Sequence, residues 1–188
     1  LSVAISLFLL AGATLMLIFV VMSGSTTSFP INRLYWVEGD TSLISNAPDV
    51  TRWTFWGRCE EISSRNRNCD HLGPAYPISP YTNFDTTVNV PEKFVNEEDT
   101  FYYLSRFAFG LFWTGLVFTG VSLITEIFTL CSHTFQKIEV VFISLALFTT
   151  LTATCLITAC VVLVRNAFHD ADLDSEIGSI MIGLIWAS

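Results

Sequence analysis

The sequence predicts a membrane protein of the all-α class, a four-helix bundle whose fourth helix is only begun, with a small exoplasmic antiparallel β-sheet. Three observations predict it. Hydrophobic residues make up 52% of the 188 positions and charged residues only 14%, whereas soluble domains carry about 25% charged residues. The shortage of charge falls in long uninterrupted runs. Between the first two runs lies a polar segment holding tryptophans and a close pair of cysteines. The length suits one domain, and the net charge of −8 argues against nucleic acid, because phosphate binding requires a basic face.

Residues 2–22 form the first run, 21 residues without a charge, about 31 Å as a helix and enough to cross a bilayer. A cleavable signal peptide is the competing reading, but its apolar core usually spans only about 7–15 residues, so a membrane anchor fits better. Residues 23–106 are polar, with all six prolines and seven of the nine basic residues. The prolines exclude long helices there. Arg33-Leu-Tyr-Trp-Val-Glu38 and Thr51-Arg-Trp-Thr-Phe-Trp56 are aromatic-rich with partial alternation and read as strands. Gly73-Pro-Ala-Tyr-Pro-Ile-Ser-Pro80 reads as extended or turning chain.

Residues 107–131 are expected to form the second span, 132–139 a cytoplasmic link and 140–164 the third span. Residues 165–176 form an acidic loop, and 177–188 begin a fourth span, too short here to cross. The chain is therefore expected to be a piece of something longer. The acidic loop has one arginine against four carboxylates, and the 132–139 link one lysine and one glutamate. That asymmetry places the acidic loop and the polar segment outside and both termini in the cytoplasm. No Asn-x-Ser/Thr sequon occurs to test this.

Cys59 and Cys69, ten positions apart and outside the membrane, suit a disulfide, which an oxidising compartment permits. A zinc site would need more ligands than nearby Asp70 and His71 supply. Trp36, Trp53 and Trp56 give the small domain apolar plates to pack on. Cys155 and Cys160 read as buried small residues of the third span. Cys131 ends the second span, where S-palmitoylation is open to it, although a free thiol is the plainer reading. Asp170, Asp172, Asp174 and Glu176 alternate as in a calcium loop but lack its glycine and its terminal glutamate, so a solvated loop is expected, with no metal.

Small residues recur at four-residue spacing: Gly110 and Thr114, Gly115 and Thr119, then Ala146, Thr150, Thr154 and Thr158. Such stripes let helices approach closely, within the bundle or against another membrane protein. Glu126 and Glu139 flank the link, where they are expected to reach water or Lys137. No charge lies mid-span, which argues against an ion pathway. His71, His133 and His169 fall in separate segments, and no phosphate loop or nucleophile elbow appears, so no enzyme is expected.

Trp36…Trp56-Gly57-Arg58-Cys59…Cys69 has the spacing of the claudin-superfamily motif, and Arg106 at the entry to the second helix suits that family. More narrowly, Asn32-Arg-Leu-Tyr-Trp-Val-Glu-Gly39, Thr51–Cys59, Pro74–Pro80, Phe101-Tyr-Tyr-Leu-Ser-Arg-Phe107 and Asn166-Ala-Phe-His-Asp170 closely resemble the fungal Sur/PalI family. The resemblance covers nearly the whole chain. It implies a claudin-like tetraspan protein of the plasma membrane, in cortical eisosome patches, linked to endocytosis, sphingolipid balance, cell-wall integrity and sporulation. Its implied partners are membrane lipids, sphingolipid or sterol among them, other plasma-membrane proteins and further copies of itself, without a cofactor. Thr54-Phe-Trp56 stands where claudins carry Gly-Leu-Trp, so paracellular pore activity is not carried over. An auxiliary subunit of a membrane transporter or enzyme is the alternative function. Arg106 is expected to snorkel or to tie the exoplasmic domain to the helix top.

Overall fold

The structure, a computed structural model, describes residues 2–45, 47–71, 73–129 and 133–188. Helix α1 (Ser2–Val21) follows from the first uncharged run. It contains no proline, and in hydrocarbon a helix pairs every backbone N–H and C=O within itself. Helices α4 (Glu98–Thr129) and α5 (His133–His169) take the second and third runs. With α1 these are three helices long and apolar enough to cross a membrane. Helix α6 (Ser179–Ala187) opens the last run. Helix α1 lies against α4 and α6, and α5 against α4 and α6.

Both long helices outrun the apolar stretches that predict them. Helix α4 starts at Glu98, nine residues before the uncharged run, because Glu98 and Asp99 occupy its first turn, where the helix dipole favours carboxylates. Helix α5 starts at His133 and ends at His169, so most of the segment expected as a link is helical. Charge bars a segment from hydrocarbon but not from a helix, and these turns stand beyond the apolar zone.

A five-stranded antiparallel sheet has the order β4-β3-β2-β1-β5. Its strands are β1 (Val37–Asp40), β2 (Val50–Thr54), β3 (Gly57–Ile62), β4 (Arg65–His71) and β5 (Ser175–Ile177). The acidic loop is therefore part of the sheet: Val37 pairs with Ile177 and Glu38 with Glu176. Ser63 and Ser64 turn β3 into β4 with positive φ at both positions, the geometry of a type I′ turn. Two short helices, α2 (Pro80–Phe84) and α3 (Glu92–Asn96), fill the route to α4.

Side chains alternate across strands, which sorts the sheet into two faces. Val37, Gly39 and Trp53 face the helices. Phe168 of α5 lies 6.0 Å from Trp53 between ring centroids, and a Cβ on Gly39 would sit 2.8 Å from that phenylalanine ring. Arg52, Cys59 and Glu38 face outward, and the chain after α1 covers them: Asn66 Nδ2 donates to Leu34 O at 2.9 Å. The β2–β3 turn meets the end of α1, where Trp56 Nε1 donates to Val21 O at 2.7 Å. The strands thus rise from the apolar helix ends alongside the upper turns of α4 and α5.

Candidate functional site: the seat of the sheet on the helices

Aromatic rings cement the junction. Phe55 lies 4.6 Å from Trp36 and 5.1 Å from Phe109 between centroids, and Trp36 stacks on Phe112 at 6.3 Å. Phe94 of α3 packs between Phe101 of α4 and Phe168 of α5, at 4.9 and 5.1 Å. Trp36, Trp53, Phe55, Phe94, Phe101, Phe112 and Phe168 are fully buried. Such pairs contribute about 0.5–1.5 kcal/mol each beyond the area they bury.

Asn83 supplies the polar half. Its Oδ1 accepts from Trp53 Nε1 at 2.6 Å and from Ser79 N at 3.3 Å, while its Nδ2 donates to Pro77 O at 3.1 Å. Arg58 Nη1 donates to Asn83 O at 2.6 Å, and the guanidinium stacks 4.4 Å over Phe84 while pairing with Asp70 at 3.1 Å. Ser105 Oγ accepts from Ile78 N at 3.1 Å, tying the proline-rich stretch to α4. Burial in this layer pushes the Tyr76 hydroxyl up to about 12. The indole N–H of Trp36 finds no hydrogen-bond partner among the described residues.

On the outer face, buried Arg52 pairs with Glu38 at 2.5 Å and lies 4.2 Å over the Tyr35 ring. At the rim, the Ser42 hydroxyl and amide hold the Asp40 carboxyl below its usual range.

Cys59 and Cys69 form a disulfide between β3 and β4, with Cα atoms 4.0 Å apart. The register shifts between Arg58 and Glu60, a bulge of the kind that re-aims a side chain. Cys59 pairs across from Arg52, so the disulfide sits on the face opposite Trp53. Trp56 is half-buried and joins the sheet to α1. Arg106 is exposed and lies 5.0 Å over Tyr102 of its own helix, with a hydrogen bond to its hydroxyl. Of the two roles expected of it, the tie to the sheet is not seen among the described residues, where its exposed guanidinium rests on its own helix.

The small-residue stripes divide. A Cβ on Gly115 would collide with Thr150 of α5, whereas Gly110 has nothing within 4 Å. Thr119, Ala146 and Thr154 are buried, Thr150 and Thr158 half-buried, and Thr114 exposed. Thr119 Oγ1 donates to Gly115 O at 2.8 Å and Thr150 Oγ1 to Ala146 O at 2.7 Å, so these hydroxyls are satisfied inside their own helices. Thr158 Oγ1 has no partner among the described residues. Cys160 is buried but Cys155 is exposed, because the two point to different faces of α5. Cys131 lies outside the described residues.

Glu126 and Glu139 depart most from expectation. Each is at least nine-tenths buried, with relative exposures of 5% and 6%, and they meet side chain to side chain across α4 and α5. Neither reaches out to Lys137, which is exposed, since the antiparallel pairing of the helices turns both inward. No group of three or more His, Cys, Asp or Glu able to hold a metal occurs among the described residues.

These features define a class: a multi-span membrane protein in which a disulfide-bonded sheet is seated on the ends of apolar helices. Compared with known families, residues 2–188 match the SUR7/PalI family, and the chain belongs to it. It is 45% identical over 183 residues to Protein SUR7 of Saccharomyces cerevisiae, which covers 97% of this chain and 61% of that protein. It is also 45% identical over 184 residues to Protein SUR7 of Candida albicans, covering 97% and 67%. A further Saccharomyces cerevisiae relative, named as an uncharacterized plasma membrane protein, is 32% identical over 187 residues, covering 98% and 62%. The chain thus spans about three fifths of the Saccharomyces relatives it matches. No solved structure matches it significantly.

Proposed function

We propose that this chain is a non-catalytic organiser of a fungal plasma-membrane domain, the eisosome, acting through lateral contacts with lipids, other membrane proteins and its own copies. In this reading it is a claudin-like four-span bundle with the sheet outside and both termini in the cytoplasm. It resides in cortical patches and bears on endocytosis, sphingolipid balance, cell-wall integrity and sporulation. The observation that carries the reading is the seat itself. The largest buried side chains of the polar layer are spent on fixing the sheet to the helices, and a relative is named as a plasma membrane protein. A rigid seat of this kind presents a fixed lateral surface at a fixed height.

The test is live-cell imaging of the full-length protein carrying a fluorescent tag. Immobile cortical patches coincident with an eisosome marker are expected. A diffuse, mobile surface signal would overturn the organiser reading and send the search to one stoichiometric membrane partner.

A further inference from the structure

We propose that Glu126 and Glu139 hold one proton between them, and that this proton clasps the ends of α4 and α5 that lie away from the sheet, releasing them as pH rises. Such a switch stands whether or not the organiser reading holds.

The carboxyl pair belongs to the packing of the two helices. Glu126 stands eleven residues beyond Gly115 on α4, and Glu139 eleven residues before Thr150 on α5. A Cβ on Gly115 would collide with Thr150, so the two contacts fall on one antiparallel register, about 16 Å apart. At the other end, the sheet side, Phe94 packs between Phe101 of α4 and Phe168 of α5. The carboxyls are thus a third contact along the hairpin, at the end the sheet does not reach.

Their surroundings leave them one way of holding together. Glu126 and Glu139 are 5% and 6% exposed and meet side chain to side chain. An ionised carboxylate only accepts hydrogen bonds, so two in contact attract through a proton and repel without it. Glu139 Oε1 accepts from no donor among the described residues, and Ser122 Oγ, fully buried one turn before Glu126, is equally unpartnered there. No Lys or Arg lies within 4.0 Å of either carboxyl among the described residues. On α5, Lys137 is exposed, Cys155 and Cys160 lie about four turns or more away, and Arg165 and His169 are at the sheet end. On α4, Glu98, Asp99, Tyr102, Tyr103 and Arg106 are at the sheet end too. Helices α1 and α6 carry no ionisable side chain. The side chains of Cys131 and His133 lie outside the described ones. A carboxylate buried without donor or cation costs more than one that keeps its proton.

When the helix ends part, each carboxyl meets water and behaves as an ordinary one. The closed clasp therefore binds a proton that the open one gives up. Closure is favoured at low pH, and it weakens by up to tenfold per pH unit until the closed pair loses the proton too.

The test compares the full-length wild type with the double variant Glu126→Gln/Glu139→Gln in one detergent, from about pH 5 to about pH 9, which brackets the titration of buried carboxyls. An amide pair keeps the shape and the hydrogen bond and needs no proton. As pH rises, the wild-type Tm is expected to fall relative to that of the double variant by about 3 °C per pH unit. A difference that stays constant with pH would mark a merely structural contact and overturn the proposal. Infrared spectroscopy reads the proton directly. A protonated-carboxyl C=O band is expected in the wild type at neutral pH, lost as pH rises and absent from the double variant. Either single glutamine variant should shift or remove it, which keeps the test decisive should the double variant fail to fold. No such band, or one unmoved by these substitutions, would overturn the proposal. So would a pH response that persists in the double variant and vanishes in His133→Asn.

Discussion

Replacing Asn83 with leucine strands Trp53 Nε1 and the Ser79 amide in a buried layer, and Pro77 O loses its donor. A buried polar group left without a partner costs about 1–3 kcal/mol. Asn83→Leu is therefore expected to lower the Tm of the purified protein in detergent, followed by tryptophan fluorescence. Asn83→Asp keeps the acceptor for Trp53 and should cost less. Equal Tm values for Asn83→Leu and the wild type would show that the junction does not depend on this network. The tryptophans of the junction were legible in the sequence, since large apolar side chains in a polar segment need burial. Asn83 was not, because an asparagine between Pro80 and Asp85 reads as an ordinary turn residue. Arg106, marked by resemblance, rests on Tyr102 of its own helix, a contact that its place at the helix entry does not announce.

Among the elements, α4 and α5 depend on the absence of a side chain at Gly115. Gly115→Val places a branched side chain against Thr149 and Thr150, and overpacking of this kind costs about 1–3 kcal/mol. Gly110→Val meets open space and should leave the helix pair intact. The measurement is thermal unfolding of both variants in the same detergent. Comparable Tm values for the two would show that the four-residue stripe, rather than the one close contact, sets the packing. Periodicity marked both glycines alike because it reports spacing and not which face meets a neighbour. The weaker strands were hidden for a similar reason. The β3–β4 turn uses Ser63-Ser64 where asparagine and glycine would have announced it, and β5 is three residues of an acidic loop whose pairing β1 decides.

At the scale of the whole molecule, the disulfide holds an edge strand that has a strand on one side only. The cross-link spans ten positions, and closing a loop of this size stabilises by about 2–3 kcal/mol. Cys59→Ser is expected to loosen β4, raise protease sensitivity in the β3–β4 hairpin and reduce the amount reaching the cell surface. The helices, whose backbone bonds are internal, should persist. Normal surface amount with unchanged protease resistance would refute this.

The sequence by itself determined the apolar spans, the polar layer between them and the pairing of Cys59 with Cys69, because hydropathy and loop closure act locally along the chain. Only the tertiary structure decided that the disulfide lies on the face away from Trp53, that Glu126 meets Glu139, and that the acidic loop completes the sheet. Glu38 and Glu176 lie far apart in sequence and meet through the shared burial of sheet and helix ends. Strand register sets the face of the disulfide, and the antiparallel packing of α4 on α5 turns Glu126 toward Glu139; no local pattern encodes these.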